Sequence, residues 1–289
     1  MALNRLQRDW RCMHGWSRLT PSSMEAIIFV GLKKNFWPAT RPAFRPIRGI
    51  NQGTAETGRR MSTRYAFSPE TLIKAYSLGV FPMADGANSQ TINFYDPDVR
   101  ALIPLTVGAE SKQHFHIPKR LRRTVKQGRF MVTIDRDFPA VIAECAAPRP
   151  DREDTWINTD IKRLYIALHK LGFAHSIEVW DGDSLVGGLY GVALRSAFFG
   201  ESMFSRATDA SKVALVHLVA RLRAGGFHLL DAQFTTDHLQ QFGVFELPRE
   251  QFQQRLAVAL AKHADILPGE LDKPMVAALL TAIQTAEQP

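Results

Sequence analysis

The sequence has almost no cysteine: Cys12 and Cys145 are the only two among 289 residues. Two thiols so far apart cannot build a disulfide framework, and neither stands at the close spacing of a zinc or redox motif. A reducing, cytoplasmic setting fits that usage best. Long apolar runs are missing too. The longest near the N-terminus, Ala26 to Leu32, lies between Glu25 and Lys33, far short of the roughly 20 residues that cross a bilayer. The nine histidines form no H-E-x-x-H, and no G-x-S-x-G turn occurs, so metal-dependent and serine-based mechanisms lack their usual signatures. With 22% charged residues, 19 Gly and 16 Pro, the chain is neither collagen-like, nor a coiled coil, nor wholly disordered.

Positive charge is present in excess, at a net +8, and its position matters more than its size. Residues 1–60 carry eleven basic and three acidic side chains, so they hold the whole excess and the chain from Met61 onward is neutral. Those sixty residues show no sustained period of 2 or 3.6, and Pro21, Pro38, Pro42 and Pro46 interrupt them. Their Arg-rich, acid-poor make-up invites a transit-peptide reading, but no clear amphipathic helix supports it. We expect a basic, disordered extension outside the native protein, with Met61-Ser-Thr-Arg-Tyr65 as a natural start.

A second concentration lies between Lys112 and Ile134, which holds seven basic residues and no acid; without them the rest of the core stands at −7. Pro118 can open a helix that Gly128 closes. Lys119, Arg122, Arg123 and Lys126 then share one stripe, flanked by Arg120 and Arg129. A solvated basic face is the plain reading of such a run. One cationic helix on an acidic body is also the footprint of a phosphate-backbone partner.

The folded part is expected to begin after Met61. Ser68 suits an N-cap, Pro69 the first helical position, and Leu72, Ile73 and Tyr76 share a face that Gly79 ends. A loop through Phe81-Pro82-Met83 and a turn at Phe94-Tyr95-Asp96-Pro97 then lead into the apolar Ala101 to Leu105. We read residues 61–117 as a small N-terminal α/β domain. Helix-like stretches follow at Phe138 to Cys145 and Ile161 to Leu171, with Cys145 a core residue rather than a nucleophile. His175 to Trp180 and Leu185 to Val192 flank Asp181-Gly182-Asp183 as a hairpin. Ser196 to Phe199 reads as a strand running into Gly200-Glu201-Ser202-Met203. A helix capped by Asp209 or Ser211, a strand from Phe227 to Phe234 and a helix from Arg249 to His263 complete an α+β arrangement. That order, over residues 118–264, is the one of acetyltransferase-like (GNAT-type) mixed-sheet domains. Residues 265–289 read as a C-terminal tail without chemistry.

Polar residues in apolar surroundings are the remaining candidates for chemistry. Glu201 lies between Gly200 and Met203. Asp231 and Gln233, two apart on a strand, share a face. A carboxylate within Leu229-Leu230-Asp231 is costly unless paired or used.

Six runs in order, from Gly79-Val80-Phe81-Pro82 through Asp154-Thr155-Trp156-Ile157, His175 to Trp180, Leu185 to Val192 and Gly200 to Ser205, to Leu230-Asp231-Ala232-Gln233, resemble the leucyl/phenylalanyl-tRNA protein transferase family. The resemblance spans about Phe67 to Phe252. It implies transfer of Leu or Phe from aminoacyl-tRNA to proteins with N-terminal Lys or Arg, marking them for degradation by the N-end rule. Because the aminoacyl ester is already activated, no cofactor, metal or ATP is implied, and the enzyme is expected to be a monomer without membrane contact.

By the same resemblance, Asp231 and Gln233 are the catalytic pair, with Gln233 orienting the α-amine and Asp231 offsetting its developing charge. Glu201 binds polar parts of the aminoacyl-adenosine end or the acceptor amine, and Trp156 lies near the terminal adenosine. Leu189, Phe198, Met203, Leu218 and Leu230 form an apolar pocket that takes Leu, Phe and also Met. Lys119, Arg120, Arg122, Arg123, Lys126 and Arg129 become a tRNA-backbone contact. Met83 and Phe94-Tyr95-Asp96-Pro97 depart from the family's usual Trp-rich pattern, leaving open which ring supports the adenine. Two alternatives fit less well. An acyl-CoA-dependent N-acyltransferase of the same fold would want a glycine-rich pyrophosphate turn opening a helix, and Ser205 to Ser211 contains no glycine. A non-catalytic RNA-binding protein would leave Asp231, Gln233 and the pocket unexplained.

Overall fold

The computed structural model describes residues 68–107, 113–148, 154–266 and 272–286. The basic extension 1–60 and Lys112 lie outside them. Helix α1 (Pro69–Ser77) starts as its sequence predicts: Ser68 Oγ accepts from Thr71 N–H at 3.3 Å and Pro69 occupies the first turn. It buries Leu72, Ile73, Ala75 and Tyr76, and Gly79 follows at a φ of 78°. The expected loop at Phe81 to Met83 is instead strand β1 (Phe81–Ala84), and the expected turn at Phe94 begins within β2 (Ile92–Tyr95). These two form an antiparallel ribbon of their own. A ribbon with two outer edges tolerates Pro82, because a missing N–H can face away from the ladder.

Strand β3 (Val99–Leu102) leaves this region and joins the main sheet, where it pairs with β8 (Leu229–Gln233) on one side and β9 (Phe245–Pro248) on the other. The remaining strands are β4 (Met131–Ile134), β5 (Ala174–Asp181), β6 (Ser184–Leu194) and β7 (Ala197–Ser205). The seven-stranded order is β4-β5-β6-β7-β8-β3-β9. Every neighbouring pair is antiparallel except β7 with β8. The fold is thus a mixed α/β sheet with flanking helices.

Helices α2 (Lys119–Gln127), α3 (Phe138–Ala146) and α4 (Thr159–Lys170) match the expected segments. Helix α5 (Ala210–Ala224) makes the crossover that a parallel pair requires. Its N-cap, Asp209, has a φ of 68° and makes no side-chain cap bond. The carboxylate instead reaches Lys212 at 3.2 Å and Arg120 at 3.6 Å. The short α6 (Asp237–Gln240) and α7 (Arg249–Ala261) follow, and the stretch read as a tail contains α8 (Asp272–Ala286). Val276, Leu279, Leu280 and Ile283 of α8 repeat at helical spacing and are buried in the same cluster as α5.

Two apolar clusters divide the core. One joins α1, α3, α4 and α7 with Tyr190, Phe199 and Phe204; the other joins α5 and α8 with Ile177, Leu189, Phe198 and Leu230. The glycines of β6 allow the close packing between them. A Cβ on Gly187 would stand 2.5 Å from that of Ala210, and one on Gly191 would stand 2.3 Å from the Phe199 carbonyl oxygen.

Candidate active site

Asp231 is fully buried on β8, opposite Leu102 of β3 and Phe199 of β7. A lone carboxylate there would be prohibitive, and the partner is Arg100 of β3, itself 1% exposed. Arg100 Nε donates to Asp231 Oδ1 at 2.9 Å and to Oδ2 at 3.1 Å, and Nη2 donates to Oδ2 at 2.6 Å. Its Nη1 donates to the Gly79 carbonyl at 2.8 Å. The guanidinium lies over the rings of Phe81 and Phe252, 4.6 and 4.5 Å from their centroids. Sequence reasoning missed Arg100. The available signal was symmetrical with that of Asp231: a base lodged in the apolar Val99-Arg100-Ala101-Leu102, as the acid is in Leu229-Leu230-Asp231.

Arg100 thus matches the Asp231 charge inside the fold. Asp231 Oδ1 also accepts from the Gln233 backbone N–H at 2.9 Å. That bond bends the chain two residues on, as aspartate commonly does in turns, and Gln233 takes a φ of 58°. A non-glycine residue in this left-handed region costs about 1–2 kcal/mol. Asp231 and Gln233 are both buried with the partly exposed Ala232 between them, as alternation predicts, and the bend fixed by Asp231 ends the strand at Gln233.

The bend brings the Gln233 side chain to Glu201, with Nε2 donating to Oε1 at 3.4 Å. Glu201 sits on β7, which continues past the expected end at Phe199 to Ser205. The β7–β8 pairing extends only from Ala197 and Leu229 to Phe199 and Asp231, while β7 runs on to Ser205. Glu201 and Gln233 thus face each other just past the last rung of the ladder. Glu201 Oε2 accepts from the Tyr165 hydroxyl of α4 at 2.7 Å, and the Tyr165 hydroxyl in turn contacts that of Tyr76 of α1. Burial pushes the Glu201 carboxyl up to about 7, helped by the Asp231 charge and opposed by the bonds from Tyr165 and Tyr76 and by Arg100. Burial and the Glu201 charge hold both phenols well above their ordinary range, so they remain donors.

Trp156 is half-buried against the first cluster, as are Met83, Phe94 and Tyr95. Its carbonyl accepts from Ala84 N–H at 3.1 Å, which ties it to β1. Leu189, Phe198, Leu218 and Leu230 are all buried in the second cluster, and Met203 packs on it half-buried. The five are together, but in the cluster that does not contain Tyr76, Tyr165 or Trp156.

On α2, Leu121 is buried and holds the helix to the core, while Lys119, Arg123 and Lys126 are exposed and Arg122 is half-buried. Arg120 lies 3.6 Å from Asp209, and Arg129 lies 3.3 Å from Asp181. The second pair is exposed on both sides and therefore weak, so Arg129 can exchange it for a phosphate. No group of three or more His, Cys, Asp and Glu suited to a metal occurs among the described residues. No helix among them is long and apolar enough to cross a membrane.

A family model for the leucyl/phenylalanyl-tRNA protein transferase matches residues 111–257, and one for the N-terminal domain of that transferase matches residues 65–98. The leucyl/phenylalanyl-tRNA–protein transferase of Rhodopseudomonas palustris strain TIE-1 is 50% identical over 227 residues, covering 78% of this chain and 98% of its own. That of Maricaulis maris is 55% identical over 207 residues, 71% of this chain and 93% of its own. That of Caulobacter vibrioides strain NA1000 is 56% identical over 200 residues, 69% of this chain and 89% of its own.

Proposed function

The chain belongs to the leucyl/phenylalanyl-tRNA protein transferase family, an aminoacyltransferase family, and from that premise we propose how it works. It moves Leu or Phe from aminoacyl-tRNA to the α-amino group of proteins beginning with Lys or Arg, and so marks them for degradation in the cytoplasm. The observation that carries the reading is the polar chain from the buried Arg100, Asp231 and Gln233 to the partly exposed Glu201 at the point where β7 and β8 part. A parallel strand pair that separates there supports the likeness to acetyltransferase-type domains. In it an amine and an activated acyl group would meet.

Aminolysis of an ester asks for positioning more than for activation. With a pKa near 7.7–8.0, roughly a tenth to a sixth of α-amino groups are neutral at pH 7. Gln233, held by Asp231 and Arg100, orients the amine. Glu201, ionised near neutral pH, accepts a proton from it. Asp231 is then a positioning residue. Trp156 offers a ring to the terminal adenine, where stacking gains about 1–3 kcal/mol. The leucyl or phenylalanyl side chain enters among Leu189, Phe198, Met203, Leu218 and Leu230. Because the other four are buried, entry occurs by movement of Met203, the unbranched and half-buried member. Discrimination among apolar side chains in such a pocket is modest, a methylene being worth about 1–3 kcal/mol. The α2 stripe tracks the tRNA backbone.

The test is incubation of the monomeric protein with radiolabelled Leu-tRNA and peptides beginning with Lys, Arg or Ala. Label on the Lys and Arg peptides and not on the Ala peptide is expected; equal labelling of all three, or none, would refute the assignment.

A further inference from the structure

Tyr76 has no place in the chemistry outlined above, yet its hydroxyl ends a buried chain that starts at the reacting centre. It lies on α1, Tyr165 on α4 and Glu201 on β7, so three separate elements converge on one line of oxygens. Both tyrosines are fully buried. The Tyr76 ring packs on Phe199 at 4.8 Å, and the Tyr165 ring meets Tyr190 edge-on at 5.3 Å, which fixes both phenols. Each phenol has a single proton. Tyr165 gives its proton to Glu201 Oε2, and the Tyr76 hydroxyl both touches that of Tyr165 and bonds Glu201. Hydrogen bonds linked in this way polarise one another, so each strengthens the rest.

Resting on the transferase reading, we propose that Tyr76 is a positioning residue: acting together with Tyr165, it holds Glu201 as the carboxylate that takes a proton from the acceptor's α-ammonium group. The transfer balances without a co-reactant. The ammonium loses one proton to Glu201, and the neutral amine forms the C–N bond at the ester carbonyl. The bond from the carbonyl carbon to the ribose oxygen breaks, and a second proton of the amine passes to that oxygen. Glu201 then returns its proton to water. The groups facing Glu201 are Tyr165 from α4, Tyr76 from α1, Asp231 from β8 and Arg100 from β3, with the phenol of Tyr190 from β6 beside the two tyrosines. Burial raises the Glu201 carboxyl, and the two phenols are the groups that oppose this by hydrogen bonding. Loss of the Tyr76 hydroxyl removes one of these two supports and makes Glu201 harder to ionise.

The experiment is the pH dependence of kcat, from pH 5.5 to 8.5, with saturating Leu-tRNA and an Arg-initiated peptide, corrected for spontaneous ester hydrolysis. Wild type, Tyr76→Phe, Tyr165→Phe and Glu201→Gln are compared. The peptide's own ionisation is common to all four, so differences between profiles belong to the protein. For Tyr76→Phe the acid limb should move upward by ~0.5 pH unit, lowering the rate about threefold at pH 6.5 and little at pH 8.5, with KM for Leu-tRNA within about twofold. Tyr165→Phe should move it further, and Glu201→Gln should remove the limb. A Tyr76→Phe profile superimposable on wild type, or lowered equally at every pH, would overturn the role of Tyr76. An inactive wild type would instead refute the transferase reading itself.

Discussion

Replacing Arg100 with Met tests the centre of the site through its energetics. Both members of the Arg100–Asp231 pair are buried to within 1% of complete exclusion from solvent, and three N–H···O contacts join them. Removing the guanidinium leaves a buried carboxylate without its counter-charge and the Gly79 carbonyl without its donor. Breaking a buried pair on one side costs about 3–5 kcal/mol. Asp231→Asn, which strands Arg100 instead, should cost a similar amount. The double variant strands neither charge, so its loss should fall short of the sum of the single losses by about 2 kcal/mol or more. Urea unfolding followed by tryptophan fluorescence measures all three. The penalty should also persist in 1 M salt, because a pair this deep is poorly screened. Additive single effects, or a penalty that salt erases, would refute the reasoning.

Glu201 makes stability depend on pH. Its folded carboxyl is raised from an ordinary 4.5 to about 7, so the folded state binds the extra proton. The resulting stabilisation is complete below about 4.5 and is lost as pH rises through 7. Glu201→Gln should therefore gain stability relative to wild type between pH 5.5 and 8, by up to ~2 kcal/mol given that the residue retains some exposure; equal urea midpoints of wild type and variant at both pH values would contradict this. Gln233→Gly should relieve the left-handed backbone and raise stability by up to ~1 kcal/mol while transfer falls. A lower melting temperature would show that no strain is held there. Reversing Lys119, Arg123 and Lys126 to Glu should raise KM for aminoacyl-tRNA and flatten its salt dependence by ~0.7 to 0.9 in log–log slope per lost phosphate contact; an unchanged slope would remove tRNA from that helix.

Elements with a local cause could be read from the sequence. Ser68 and Pro69 start α1, Gly128 ends α2 at a φ of 61°, and Asp181-Gly182-Asp183 turns the β5–β6 hairpin. Motif spacing likewise singled out Asp231, Gln233 and Glu201 before any geometry. What could not be read was who sits beside whom. Arg100 and Asp231 are 131 residues apart, and nothing in either segment names the other. The left-handed backbone of Gln233 depends on a side-chain bond to Asp231 that strand alternation does not announce. The Ile92–Tyr95 strand was hidden by Asp96-Pro97, whose turn character extends only past its end. Helix α8 was overlooked because short apolar stretches after a proline resemble a tail until α5 gives them a face to cover.

The Arg100 contacts also set an order of events during synthesis. At about 5–20 residues per second, a ribosome that has made Gly79 and Arg100 needs roughly 7–26 s more to make Asp231, 131 residues later. Throughout that interval the guanidinium has an acceptor at Gly79 but no counter-charge, and β3 lacks its inner neighbour β8. The first segment of the fold therefore cannot close over Arg100 on its own. A nascent chain stalled before residue 231 would keep α1 and β3 accessible to proteases, and one extended past Phe252, with β8, β9 and the second ring over Arg100 in place, locks them down.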